Sequence, residues 1–162
     1  LQANSSIRTI RIQSAQQMYD ACAQEFATSD IIVMSAAVAD YTVQNPADQK
    51  IKKKAEDFSI ALKKTVDILG TLGQQKTSKQ TLVGFALETN NELEHAQDKL
   101  KRKNADFIVL NSMQDKGAGF GTDTNKVTIL SRDGKTINYA LKTKDEVALD
   151  ISNLIIEHQK SL

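Results

Sequence analysis

Apolar positions recur along this chain in two rhythms. Three runs are nearly continuous: Ile31-Ile32-Val33-Met34, passing into Ser35-Ala36-Ala37-Val38-Ala39-Asp40-Tyr41; Thr81-Leu82-Val83-Gly84-Phe85-Ala86-Leu87, ending at Glu88; and Ala105-Asp106-Phe107-Ile108-Val109-Leu110-Asn111. Strands buried on both faces of a parallel sheet read this way, because helices cover them above and below. Other stretches alternate. Arg8 to Gln13, flanked by Ile7, predicts a short strand near a sheet edge, and Phe58 to Leu62 predicts another. Val127–Leu130 and Ile137–Leu141 flank Asp133-Gly134, a strong hairpin signal.

Between the strands the apolar period lengthens to that of a helix. Ser14, with Gln17 three residues on, is a capping-box pattern opening a helix whose inward stripe is Ala15, Met18, Cys22 and Phe26. Val66-Asp67-Ile68-Leu69 predicts a short helix interrupted by Gly70 and Gly73. Thr89-x-x-Glu92 predicts a capping box for a helix turning Leu93, Ala96 and Leu100 inward, and Thr143 caps a last helix with Val147, Ile151, Leu154 and Ile155 on one face. The order of elements predicts an α/β fold, a Rossmann-like three-layer sandwich with a mostly parallel sheet and an antiparallel hairpin near the C-terminus. At 162 residues the expectation is a single domain over 1–162.

Composition narrows the function classes. With 21 basic and 20 acidic side chains the net charge is +1, which argues against a dedicated nucleic-acid binder. No apolar run approaches the roughly 18 residues of a membrane span, and the polar N-terminus does not read as a signal peptide, so the expected location is the cytoplasm. Cys22 is the only cysteine, so no disulfide can form within the chain, and its apolar neighbours predict an inert thiol. Only His95 and His158 could join it, too few for a structural zinc centre, and no metal site is expected.

The candidate chemistry is cationic. Asp40 would lie at the carboxyl end of its strand, the edge at which open α/β sheets bind ligands. Lys50-Ile51-Lys52-Lys53-Lys54 concentrates charge in one loop, and Lys99 and Lys103 lie one turn apart on a helix flank. Each feature alone is also ordinary solvated surface. Two unit charges 4 Å apart interact by about 4 kcal/mol at an effective dielectric near 20, so lysines converging on a polyphosphate would hold it firmly. Phe85 follows Gly84 at a strand end and reads either as core or as a neighbour of a nucleobase. Gly117-Ala118-Gly119-Phe120-Gly121 lacks a following Walker lysine and reads as a solvent loop.

These residues resemble phosphopantothenoylcysteine synthetase, a family of coenzyme A biosynthesis. The resemblance is carried by Ala36-Ala37-Val38-Ala39-Asp40-Tyr41, Lys50-Ile51-Lys52-Lys53, Val83-Gly84-Phe85-Ala86-Leu87-Glu88-Thr89-Asn90-Asn91 and Lys99-x-x-x-Lys103-Asn104-x-Asp106. It implies a ligase that joins 4'-phosphopantothenate to cysteine through an acyl-cytidylate, with CTP (ATP in eukaryotes) and Mg²⁺. By resemblance Lys50 is the catalytic lysine of a flap over the reacting centre, and Asp40, Lys99 and Lys103 contact the nucleotide. Phe85 and Val66, Asp67, Ile68 and Leu69 would frame the base. The family usually has Asn-Pro where this chain has Thr65-Val66, and its opening strand and Ser-Ser-Gly-Lys loop have no counterpart here, so the domain is expected to be N-terminally incomplete. A homodimer is implied as partner. Two other classes remain open: a dinucleotide-dependent oxidoreductase, disfavoured by the lack of G-x-G-x-x-G after a strand, and a non-catalytic dimerisation fragment.

Overall fold

The computed structural model describes residues 6–52, 58–88, 90–112 and 121–162. In chain order it comprises α1 (Ala15–Phe26), β1 (Ile31–Met34), β2 (Tyr41–Val43), β3 (Leu62–Lys64), α2 (Ile68–Gln75), β4 (Thr81–Glu88), α3 (Glu92–Arg102), β5 (Phe107–Ser112), β6 (Thr124–Asn125), β7 (Val127–Ser131), β8 (Thr136–Asn138), β9 (Lys142–Thr143) and α4 (Lys144–Gln159). The main sheet has the order β1-β4-β5-β7-β8. β1, β4 and β5 run parallel, and β7 and β8 are antiparallel to their neighbours.

Alternation along the strands sorts the core into two layers. Leu82, Ala86, Ile108, Leu110 and Leu130 face Ala96 and Leu100 of α3. Val83, Phe107, Val109, Val127 and Ile129 face Val147, Ile151 and Ile155 of α4. Phe26 of α1 and Ile68 and Leu72 of α2 pack with Ile32 and Met34 on the α3 side. The result is the expected three-layer α/β sandwich. The predicted capping box of Ser14 with Gln17 forms, and Thr143 caps α4 as expected, closing a box with Glu146. The Asp133-Gly134 turn joins β7 to β8, with Gly134 at φ +88, a conformation that costs glycine no steric strain.

Several expectations need correction. β1 is not covered on both faces: Ile31 and Val33 are 39% and 46% exposed. It pairs only with β4 among the described strands, and α4 reaches across β4, β5 and β7 but not over β1. Arg8 to Gln13 form no strand, and Ile7, Ile10 and Ile12 are exposed. Alternation supplies a face, but a strand also needs a neighbouring backbone, and no described segment offers one. The strand expected at Phe58–Leu62 begins only at Leu62, where it pairs with Tyr41–Val43 as a separate two-stranded ribbon.

The helical boundaries shift for local reasons. Asp67 is the N-cap of α2, so the helix starts at Ile68 and runs unbroken through Gly70 and Gly73. Glycine at 73 is required by packing, since a Cβ there would fall on the carbonyl oxygen of Lys103. α3 begins at Glu92 behind Asn91 rather than behind Thr89, which lies outside the described residues. Asn91 sits at φ +46 and makes no side-chain cap bond. Leu93 is exposed, leaving Ala96 and Leu100 as the buried positions of α3. Lys53, Lys54 and the loop residues Gly117, Ala118, Gly119 and Phe120 lie outside the described residues.

Candidate functional site

One flank of α3 gathers most of the site. Positions 95, 99, 102 and 103 follow helical spacing, so His95, Lys99, Arg102 and Lys103 share that flank. With Asp40, Glu88 and Asp98 they border an open cavity of about 840 Å³. Glu88 ends β4 and Asp40 follows β1, so the cavity lies at the carboxyl ends of two parallel strands. Ligands are expected at that edge.

Lys99 is held by a backbone carbonyl. Its ammonium donates to the Phe85 carbonyl at 2.7 Å, which draws the side chain across the end of β4. Burial lowers its pKa, Lys103 and Arg102 push the same way, and Glu88 and Asp67 oppose them. The Lys103 ammonium pairs with Asp67. Asp67 also accepts from the Gly70 N–H at 3.0 Å, as the N-cap of α2. Desolvation pushes the Asp67 carboxyl up, but the Lys103 hydrogen bond and the Gly70 N–H outweigh it and hold it below its ordinary 3.8. The stability this pair contributes is therefore present above that value and fades as pH falls through the depressed one.

The segment after β1 is anchored from β3. Thr65 donates its N–H to the Asp40 carbonyl at 2.9 Å and its hydroxyl to the Ala39 carbonyl at 2.6 Å. Thr65 thus fixes the backbone that carries Asp40.

The structure brings together Asp40, Lys99 and Lys103 around one cavity and adds Asp67 through its pair with Lys103. Phe85 contributes its carbonyl, while its ring packs with the core layer under α4 and does not border the cavity. Ile68 is core, Leu69 packs against the layer under α3, and Val66 is half-buried. Lys50 is exposed and stands outside the cavity lining. Sequence reasoning passed over Glu88, His95, Asp98 and Arg102. Arg102 and His95 were available from the helical register of Lys99, and the His95–Glu88 contact at 3.3 Å depends on where α3 starts. Among the described residues no three His, Cys, Asp or Glu side chains converge as a metal centre, and no helix is long and apolar enough to cross a membrane.

A second hollow of about 490 Å³ lies across α3, between Leu100, Lys101 and the β7–β8 hairpin. Its Arg132 is committed to the Asn104 and Ala105 carbonyls and its Lys135 to Asp133. The cavity beside Lys99 is the one that lies at the carboxyl ends of the parallel strands.

Comparison with known proteins identifies the family and the fold. The chain is 46% identical over 154 residues to a cysteine/cysteine sulfinic acid decarboxylase from an unknown prokaryotic organism, covering 95% of this chain and 43% of that protein. It is 44% identical over 142 residues to the coenzyme A biosynthesis bifunctional protein CoaBC of Bacillus subtilis, covering 88% and 35%. The chain spans less than half the length of these relatives. The crystal structure of the C-terminal domain of a CoaBC protein superposes with a TM-score of 0.80 at 40% identity, covering all of this chain and 73% of that one. A DNA/pantothenate metabolism flavoprotein from Streptococcus pneumoniae shares the fold at a TM-score of 0.75 and 19% identity. The family model described as DNA/pantothenate metabolism flavoprotein C-terminal domain matches residues 1–158, and the chain belongs to that family.

Proposed function

We propose that this chain is the carboxyl-terminal part of a phosphopantothenate–cysteine ligase that uses CTP in coenzyme A biosynthesis. The observation that carries the reading is the convergence of Lys99, Arg102 and Lys103 with Asp40 at the carboxyl edge of the parallel strands. A carboxylate is a poor electrophile until one of its oxygens becomes part of a leaving group. In the proposed reaction a carboxylate oxygen of 4'-phosphopantothenate bonds to the α-phosphorus of CTP, the bond to the β-phosphate oxygen breaks, and pyrophosphate departs. The cysteine amine then attacks the acyl carbon, the bond to the cytidylate oxygen breaks, and the amine loses a proton. Neither step needs a protein nucleophile. Both need negative charge held and aligned, which cations gathered at one cavity supply.

Mg²⁺ fits as a companion of the triphosphate. It retains several waters and is satisfied by phosphate oxygens with one or two carboxylates. Asp40, Glu88 and Asp98 border the cavity, and one of these carboxylates would receive it or its water. Lys50 would act from the exposed segment after β2, closing over the nucleotide. Thermal-shift and calorimetric titration with Mg·CTP, Mg·ATP and NAD test the assignment. Stabilisation by Mg·CTP beyond Mg·ATP supports it; a response to NAD alone would favour an oxidoreductase and overturn it. In the full-length protein Lys50→Gln is expected to abolish most turnover while shifting stability by under about 0.5 kcal/mol, the range for exposed positions. Wild-type turnover in that variant removes Lys50 from the mechanism.

A homodimer is part of the proposal. The β2–β3 ribbon exposes Tyr41 and Leu62 at 55% and 57%, with Phe58 and Ile60 exposed beside them. Two strands alone are marginally stable in water, so a second copy pairing there would complete the ribbon. Sedimentation of Leu62→Glu against the parent chain reads this directly: the parent is expected to be a dimer and the variant a monomer, and an unchanged variant places the interface elsewhere.

A further inference from the structure

We propose that Asn104 is a positioning residue for the anion site, hooking the end of α3 onto α2 so that Lys103 is held at the cavity. The proposal rests on the reading of that cavity as the nucleotide site, and its test separates the two. Asn104 lies just beyond α3 at φ +51, a left-handed conformation that asparagine tolerates better than most residues. Both ends of its amide are engaged. The Nδ2 group donates to the Gly73 carbonyl at 2.6 Å, and Oδ1 accepts from the Arg132 guanidinium at 2.8 Å. A swapped amide would lose both bonds, so the side chain has one orientation.

Consecutive residues thus grip α2 at two heights. Asn104 holds Gly73 in its last turns, and Lys103 extends to Asp67 at its N-cap. Six residues of helix separate those points, roughly 9 Å at 1.5 Å per residue, so the lysine must stretch along the helix to reach its acid. The grip has little slack, because the Lys103 carbonyl oxygen occupies the space a side chain at position 73 would need. Rotation of α3 against α2 would draw the ammonium off Asp67 and away from the cavity. The amide donates to Gly73 through its nitrogen and accepts from Arg132 through its oxygen at the same time, so removing either end of it breaks one of the two bonds.

The test uses the whole chain and the variants Asn104→Gly, which keeps the left-handed backbone, and Asn104→Asp, which keeps the size but cannot donate to Gly73. Two readouts are followed. Titration of the Asp67 carboxyl by NMR reports the ammonium directly: in both variants, as in Lys103→Ala, Asp67 is expected to move up toward its ordinary value. Calorimetry with Mg·CTP reports the consequence. Asn104→Gly is expected to weaken binding roughly tenfold, the size of one charge-assisted hydrogen bond, and to weaken it no further when Lys103→Ala is already present. An unmoved Asp67 titration in Asn104→Gly, or losses that simply add in the double variant, would overturn the positioning role. A wild-type chain that binds no Mg·CTP while Asp67 still responds to Asn104→Gly refutes the nucleotide reading and leaves the hook standing.

Discussion

Asp106→Ala is expected to destabilise the chain by about 3–5 kcal/mol, the usual cost of leaving one partner of a buried ion pair alone. Asp106 and Lys76 have side chains only 8% exposed. The lysine ammonium reaches both carboxylate oxygens, at 2.7 and 2.8 Å, and one of those oxygens also accepts the Leu82 N–H at 2.8 Å. The Arg132 guanidinium approaches the other at 3.3 Å. The carboxylate therefore ties the starts of β4, β5 and the turn after β7 to the end of α2. Without it, the ammonium keeps only the Gln80 carbonyl at 3.3 Å in a nearly closed site. Urea unfolding with an unchanged slope should show the loss, with a melting temperature lower by roughly 6–20 °C for a chain of this size. The double variant Lys76→Met with Asp106→Leu should recover most of it, because the penalty lies in the unpaired charge and not in the missing attraction. A loss below about 1 kcal/mol for Asp106→Ala would mean that water reaches the ammonium.

The sequence motif Lys99-x-x-x-Lys103-Asn104-x-Asp106 joins two tasks that only coordinates separate. Lys99 and Lys103 border the cavity, whereas Asp106 is buried on the ion pair with Lys76, thirty residues earlier in the chain. Nothing local in a sequence marks such a partner. What was legible had local causes. Side-chain capping placed α1 and α4, continuous apolar runs placed β4 and β5, and a turn dipeptide placed the hairpin. What was not legible depended on neighbours. The run at Ile31 reads as buried on both faces, yet the cover over β1 is a property of the sheet order. Gly73 reads as a helix breaker but is a contact with the Lys103 backbone. At Phe85 the residue was found and the atom was not: the carbonyl meets Lys99 while the ring joins the core. Asp40, Lys99 and Lys103 were singled out by their expected place at the carboxyl edge of a parallel sheet, and the structure brings the three to the border of one cavity.

Lys99→Ala should weaken Mg·CTP binding by about 10–100-fold, a larger effect than for any other single cation of the cavity. A hydrogen bond to a charged group contributes roughly 1.5–3 kcal/mol net, and the upper part of that range belongs to donors already withdrawn from water. Lys99 is such a donor, half-buried and directed by the Phe85 carbonyl. Its lowered pKa, caused first by burial, makes the effect testable by pH. In the free chain the protonated form is disfavoured, so this group opposes folding below its unfolded value near 10.5, and the penalty lifts as pH rises through the lowered folded value. A bound triphosphate reverses the balance by favouring the charged form. Binding on the alkaline side should therefore take up a proton, visible as a dependence of the calorimetric heat on the ionisation enthalpy of the buffer. Wild-type affinity should begin to fall at a pH where a solvated lysine would still be charged. Lys99→Arg, whose guanidinium stays protonated throughout, should lose both the proton uptake and that early decline while retaining part of the affinity. Equal affinities for the wild type and Lys99→Ala at neutral pH would show that the phosphates bind elsewhere on the fold.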